Sequence, residues 1–237
     1  MFRLLILFLF LSLSVQAQSP YRSDPGRDMA IIGTSLSLDG LAAYIHAKNA
    51  ILHPEDLEYL DPNDVWKFDR WVTRQYSTSA KKGSDLALYG SFALPLIFLM
   101  DNTTRNDFGK IGLISLEALL INHSLTNITK TTVKRPRPYL YNTEVRPILH
   151  LEKTDQYSFF SGHTSTTAAL AFLSAQLHSD YYPDSKAQPI IWGLAAAIPA
   201  YTGIQRMRAG KHFLSDVLLG YVVGAGIGIL LPRLHQL

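Results

Sequence analysis

The chain has 237 residues, enough for one substantial hydrophobic core and short for two, so a single domain is expected. Its net charge of +3 falls largely in three short clusters rather than along a continuous basic stripe, which disfavours nucleic acid as a partner. The absence of cysteine excludes a disulfide framework and any thiolate metal site. A hydrophobic content of 47% and a mean hydropathy of +0.07 leave solubility to be settled segment by segment.

In chain order, Met1-Phe2-Arg3 gives a positive start, Leu4 to Val15 is apolar, and Val15-Gln16-Ala17 offers small residues to a signal peptidase. The apolar run is too short for a spanning helix, which needs about twenty residues, so residues 1–17 are read as a signal peptide cleaved after Ala17. The expected location is therefore a bacterial cell envelope. Residues 18–28 read as a linker, and Met29 to Ala47 as a helix that Asp39 keeps out of a bilayer. From His53 to Lys82, charges crowd around Trp66, Phe68 and Trp71, predicting amphipathic helix and loop on the domain surface with the aromatic rings packed. Residues 18–82 thus form an N-terminal linker and amphipathic helices ahead of a helical domain at 83–237.

Five apolar runs follow: Leu86–Met100, Ile111–Leu125, Thr164–Leu177, Ile190–Ile204 and Val217–Leu231. No strand-helix alternation appears, so the fold class is all-α, a bundle of about five or six core helices with the site at one end. The runs suit membrane embedding but are short, and Glu117 and His123 interrupt the second. If 29–47 stays outside, parity places all three charged clusters on the exterior face; if it also crosses, that face turns inward.

The clusters carry the chemistry. Lys130 and Arg137 flank Thr131 to Pro136, and Pro136 and Pro138 block a helix, so Arg137 is presented from extended backbone beside a lysine point charge. Ser161-Gly162-His163 stands just before a helix beginning near Thr164, where amide groups and the helix dipole favour an anion and His163 can donate a proton. His212 and Asp216 are one helical turn apart, so the carboxylate is expected to accept the Nδ1 hydrogen and free Nε2 as a nucleophile. Arg206 precedes them across a loop in which Gly210 permits a turn. Each cluster alone also fits a bland reading: an anionic-surface anchor, an N-cap, a solvated ion pair.

Taken in order, KTTVKRPRP from Lys130, FSGH ending at His163 and QRMRAGKHFLSD ending at Asp216 resemble the three-part signature of the superfamily of type 2 phosphatidic acid phosphatases, bacterial class A acid phosphatases and vanadium haloperoxidases. The signature reads KxxxxxxRP, PSGH and SRxxxxxHxxxD. Phe160 stands for its proline and Gln205 for its serine, while every charged or histidine position is kept. The resemblance covers roughly Leu86 to Leu231. It implies that Lys130, Arg137, Ser161, Gly162 and Arg206 bind phosphate, that His163 is the acid, His212 the nucleophile and Asp216 its orienter. It further implies a metal-independent phosphatase that forms a phosphohistidine, with no cofactor, acting on a phosphorylated lipid or a small phosphate ester. The alternatives are a soluble periplasmic acid phosphatase, or a haloperoxidase holding vanadate in the same cage. The expected setting is an exported protein, membrane-embedded with its site facing the periplasm or soluble there; nothing in the sequence gives its oligomeric state.

Overall fold

The computed structural model describes residues 19–145 and 150–237. The expected signal peptide lies outside them. Among the described residues there are six long helices: α1 (Pro25–Lys48), α2 (Thr78–Ser91), α3 (Phe108–Val133), α4 (Gly162–Tyr181), α5 (Gln188–Arg208) and α6 (Leu214–Leu234). Shorter helical turns join them, and no strand occurs among the described residues apart from an isolated bridge between Tyr21 and Gln236. The all-α bundle expected from the sequence is the fold observed.

Helix α4 is the axis of the bundle and touches α2, α3, α5 and α6. It is buried along nearly its whole length, from Thr164 to Leu177. The closest approach is to α6, where Gly220, Gly224 and Gly228 recur every fourth residue. A Cβ on Gly224 would lie 2.1 Å from the Ser165 carbonyl oxygen, and one on Gly228 2.5 Å from that of Ala169, so only hydrogen fits there. Among the described residues, three segments are long and apolar enough to cross a membrane: Thr78–Met100, Phe108–Tyr141 and Leu214–Leu234.

Two expectations need revision. The stretch read as a linker is docked: Tyr21 is buried in the main core cluster, and Asp24 caps α1 by accepting from the amides of Gly26 and Arg27. Helix α1 then runs beside α3 in the same direction from one end of the bundle to the other. Asp28 lies by Glu117 at one end, and Asn49 donates to the Thr131 carbonyl at 3.0 Å at the other. Asp39 does not break this helix, because Asn127 Nδ2 and His123 Nδ1 each donate to its carboxylate at 3.0 Å. Helix α1 is not among the described segments apolar enough to cross a membrane, in keeping with the reading that residues 29–47 stay out of a bilayer. Finally, Trp66, Phe68 and Trp71 are exposed rather than packed.

The run from Leu86 is also not one helix. It passes from α2 into a 3-10 turn, Pro95–Met100, because Pro95 has no amide hydrogen to continue the ladder.

Candidate active site

The three clusters meet at the end of the bundle formed by the C-terminus of α3, the N-terminus of α4 and the α5–α6 loop. Helix α3 stops at Lys134, which adopts a left-handed conformation at φ 50°, and the chain leaves through Arg135 and Pro136. Arg137 is extended, as the flanking prolines predict, and caps the short turn Pro138–Tyr141. Its guanidinium is fixed by main chain: Nε donates to the Thr154 carbonyl at 2.9 Å and an Nη to the Lys211 carbonyl at 3.0 Å. That second bond joins the first cluster to the third.

Lys130 joins the first cluster to the second. Its Nζ lies 3.2 Å from where a Cβ on Gly162 would stand, so glycine leaves the ammonium room beside the helix start. Helix α4 begins at Gly162, with Ser161 as its N-cap and Ser161 Oγ 2.9 Å from Thr164 Oγ1. First-turn amides of a helix have no intrahelical acceptor, so they face the same space with the positive end of the dipole. The Ser161 amide donates to the Asp216 carbonyl at 3.0 Å, joining the second cluster to the third.

Gly210 makes the α5–α6 loop possible. Its φ of 68° is one that L side chains rarely adopt, and a Cβ there would fall 2.2 Å from the Gln75 carbonyl oxygen. The turn sends Lys211 back toward Arg206, whose carbonyl accepts the Lys211 amide at 3.0 Å. Arg206 is only 5% exposed, and its Nε has no hydrogen-bond partner among the described residues. A buried guanidinium donor left unspent marks a place for an anion acceptor.

His212 is buried, and its Nδ1 donates to the Ser158 carbonyl at 2.6 Å. The expected partner, Asp216, is instead 3.9 Å away. The reason is competition: the Asp216 carboxylate accepts from the Phe213 amide at the start of α6, from Ser158 Oγ and from Arg135. Asp216 therefore shapes the loop that carries His212. The outcome for the ring is the one expected, because a proton held on Nδ1 leaves the Nε2 lone pair free. Burial, then the charges of Arg137, Arg206 and Lys130, hold the imidazole pKa well below its ordinary value, so His212 stays neutral.

His163 Nε2 donates to Asp85 Oδ1 at 3.0 Å, and the same oxygen lies 3.5 Å from an Arg206 Nη. Asp85 belongs to α2 and had no place in the sequence motifs. Burial first, and then Arg206, depress the His163 pKa to about 4, while Asp85 opposes the fall. Lys211 is a further cation that the motifs passed over. It stacks over the Tyr139 ring at 4.3 Å, and burial with Arg137 and Arg206 lowers it to about 8.

The sequence showed no metal-ligand cluster, but among the described residues the fold assembles one group that could hold an ion. Asp28, Glu117 and His235 each place a ligand atom within 4.8 Å of the others, at the end of the bundle away from the cage. Arg27 occupies that group, with one Nη 2.7 Å from Asp28 Oδ1 and 2.7 Å from His235 Nδ1. Among the described residues, none of the eight expected site residues lies apart from the cage.

Comparison with known proteins agrees with this geometry. The chain is 29% identical over 138 residues to phosphatidylglycerophosphatase B of Bacillus subtilis (strain 168), a match covering 56% of this chain. The match spans 63% of that relative's length. The crystal structure of a transmembrane PAP2-type phosphatidylglycerolphosphate phosphatase from Bacillus subtilis superposes with a TM-score of 0.53 at 21% identity, over 84% of this chain and 94% of that one. The PAP2 superfamily model matches residues 111–237, a stretch that holds all three clusters. The chain belongs to the PAP2 superfamily.

Proposed function

We propose that the protein is a phosphatase that removes a terminal phosphate from a lipid phosphate or pyrophosphate through a phosphohistidine. The observation that carries this reading is the joining of all three clusters around one space, with an unspent Arg206 donor and a bare His212 Nε2. The His212 Nε2 lone pair attacks phosphorus while the bond from phosphorus to the leaving oxygen breaks. That oxygen takes a proton from His163. Water then attacks the phosphohistidine, giving a proton to His163 and releasing His212 and phosphate. Lys130, Arg137, Arg206 and the α4 amides hold the oxygens, whose charge they stabilise as it develops.

Asp85 is a positioning residue here. It holds the His163 ring and its proton until a leaving oxygen competes for them, and a phosphate dianion offsets the cations that depress the ring. No metal enters this scheme.

The exterior of the bundle supports a lipid substrate. Leu86, Met100, Val222 and Leu230 are 74%, 81%, 65% and 57% exposed, and they lie on two of the three described segments apolar enough to cross a bilayer. Trp66, Phe68 and Trp71 stand at the cage end, where aromatic rings suit a membrane-water interface. The related phosphatidylglycerophosphatase makes phosphatidylglycerol phosphate the first substrate to assay.

The test is release of inorganic phosphate from phosphatidylglycerol phosphate, phosphatidic acid and p-nitrophenyl phosphate by the detergent-purified protein. Turnover supports the reading, and its absence on all three ends it. Halide oxidation by the vanadate-loaded protein would favour the haloperoxidase alternative, and release with the soluble periplasm the soluble one. A cage facing the periplasm is likewise a proposal. The cysteine-free sequence lets Glu144→Cys near the cage and Lys186→Cys at the far end report sidedness through an impermeant maleimide.

A further inference from the structure

The loop that carries His212 is held by two residues outside the three motifs' site positions. Helix α6 begins next to His212, with Phe213 as its N-cap, and a phenylalanine side chain cannot accept the amide hydrogens that a helix start leaves unpaired. Two carboxylates accept them instead. Asp216 takes the Phe213 amide at 2.8 Å, while Asp69 takes the Ser215 amide at 2.9 Å and the Ser215 hydroxyl at 2.6 Å. Asp69 reaches α6 across 146 positions from the short helix Lys67–Arg70, and it is fully buried.

Two buried carboxylates at one helix start call for a cation. Arg135 serves both. One Nη donates to Asp69 at 2.9 Å, and the other donates to Asp216 and, at 2.8 Å, to the Ser215 hydroxyl. Its guanidinium also lies 4.0 Å from the centre of the Phe213 ring. The Arg135 carbonyl accepts the Ser158 amide at 2.9 Å, and the Ser158 carbonyl is the one that takes the His212 Nδ1 hydrogen. Arg135 thus grips both the helix start that follows His212 and the residue that receives its proton. Both Nη atoms are engaged in this network, which sets Arg135 apart from Arg206 with its unspent donor.

We propose that Asp69 and Arg135 are positioning residues, which aim His212 Nε2 at phosphorus without touching the substrate. The inference rests on the phosphatase reading and adds to it the support of its nucleophile. Asp69 lies outside residues 111–237, the stretch that the superfamily model matches, so part of that support comes from the N-terminal region. A nucleophile displaced by about an ångström costs up to about a hundredfold in rate, while the grip on phosphate survives.

The test compares Arg135→Ala, Asp69→Asn and His212→Ala with the wild type, each below its thermal midpoint. The substrate is whichever of phosphatidylglycerol phosphate, phosphatidic acid and p-nitrophenyl phosphate the wild type turns over, with inorganic phosphate as the competing product. Lys130, Arg137 and Arg206 are untouched, so phosphate should inhibit Arg135→Ala and Asp69→Asn as it does the wild type. Arg135→Ala is expected to lower kcat about a hundredfold, with KM within about threefold. The Arg135 side chain is 23% exposed, so free guanidinium can enter the space it vacates. Millimolar guanidinium chloride should raise that kcat about tenfold, and equimolar sodium chloride should not. Asp69→Asn keeps the size and one acceptor but removes the charge; it should lower kcat about tenfold, with KM held and guanidinium without effect. Should circular dichroism show Arg135→Ala unfolded, Asp69→Asn decides. Wild-type kcat in either folded variant, a loss carried by KM or by weaker phosphate inhibition, or a loss in folded Arg135→Ala that guanidinium leaves untouched would each overturn the assignment. A wild-type protein inert toward all three esters, or His212→Ala as active as the wild type, would instead end the reading on which it rests, and the assignment with it.

Discussion

Buried charge gathers at both ends of this bundle, under opposite arrangements. At the far end the Arg27 guanidinium reaches Asp28 and His235, and His235 Nε2 donates to Glu117 at 2.8 Å, which ties the start of α1 and the residue after α6 to α3. Opposite charges there meet one another, with one Glu117 oxygen left over. At the cage end Lys130, Arg137, Arg206 and Lys211 crowd together, and the charges of Arg137 and Arg206 bear on both Lys211 and His212. The difference separates a fastening from a site. A cluster that spends its donors internally holds helices together, whereas one with surplus cations, an idle guanidinium donor and a bare imidazole nitrogen is built to act on an anion.

If that distinction is right, the largest effect belongs to His212→Ala, which should cut phosphate release by about a thousandfold or more while circular dichroism stays that of the wild type. Activity near the wild-type level would break the comparison at its centre. Next in size is Asp216→Ala. It takes the acceptor from the buried Phe213 amide and the Ser158 hydroxyl, while Arg135 keeps Asp69, so it should destabilise by about 1–3 kcal/mol for each stranded donor, read as a fall in thermal midpoint alongside lost activity.

His235→Ala, at the far end, should cost about 1–3 kcal/mol of stability yet leave kcat at permissive temperature unaltered. A selective loss of kcat would mean that the far cluster does more than fasten. Asp85→Asn should lower kcat/KM about tenfold and shift its pH profile. The wild-type complex needs one proton shared between substrate and His163. With His163 near 4 and a phosphate monoester near 6, kcat/KM should be highest between about 4 and 6 and fall as pH rises further. Because Asp85 raises the His163 pKa, its amide should move the acid edge to lower pH; an unmoved edge would remove Asp85 from the proton's path. The smallest expected effect is none at all, from EDTA on activity, with orthovanadate inhibiting as a phosphate mimic.

The parts of the site that were legible in the sequence are those whose residues stand close together in the chain. Lys130 with Arg137, Ser161 to His163, and Arg206 to Asp216 each announce themselves by spacing, and the helices beside them follow from apolar runs. Asp85 was invisible because it reaches His163 across 78 positions from a helix without a motif. The Ser158 carbonyl was invisible for another reason, since main-chain acceptors leave no trace in residue identity. The donors of Asp39 were invisible in the same way, since His123 and Asn127 reach it across 84 and 88 positions.

That main-chain acceptor has a genetic corollary. The tautomer of the His212 ring is dictated by a peptide oxygen, which every codon encodes alike. Exchanging serine for alanine at 158 would spare it, so a change in which His212 nitrogen holds the proton has to arrive by displacing the loop as a whole.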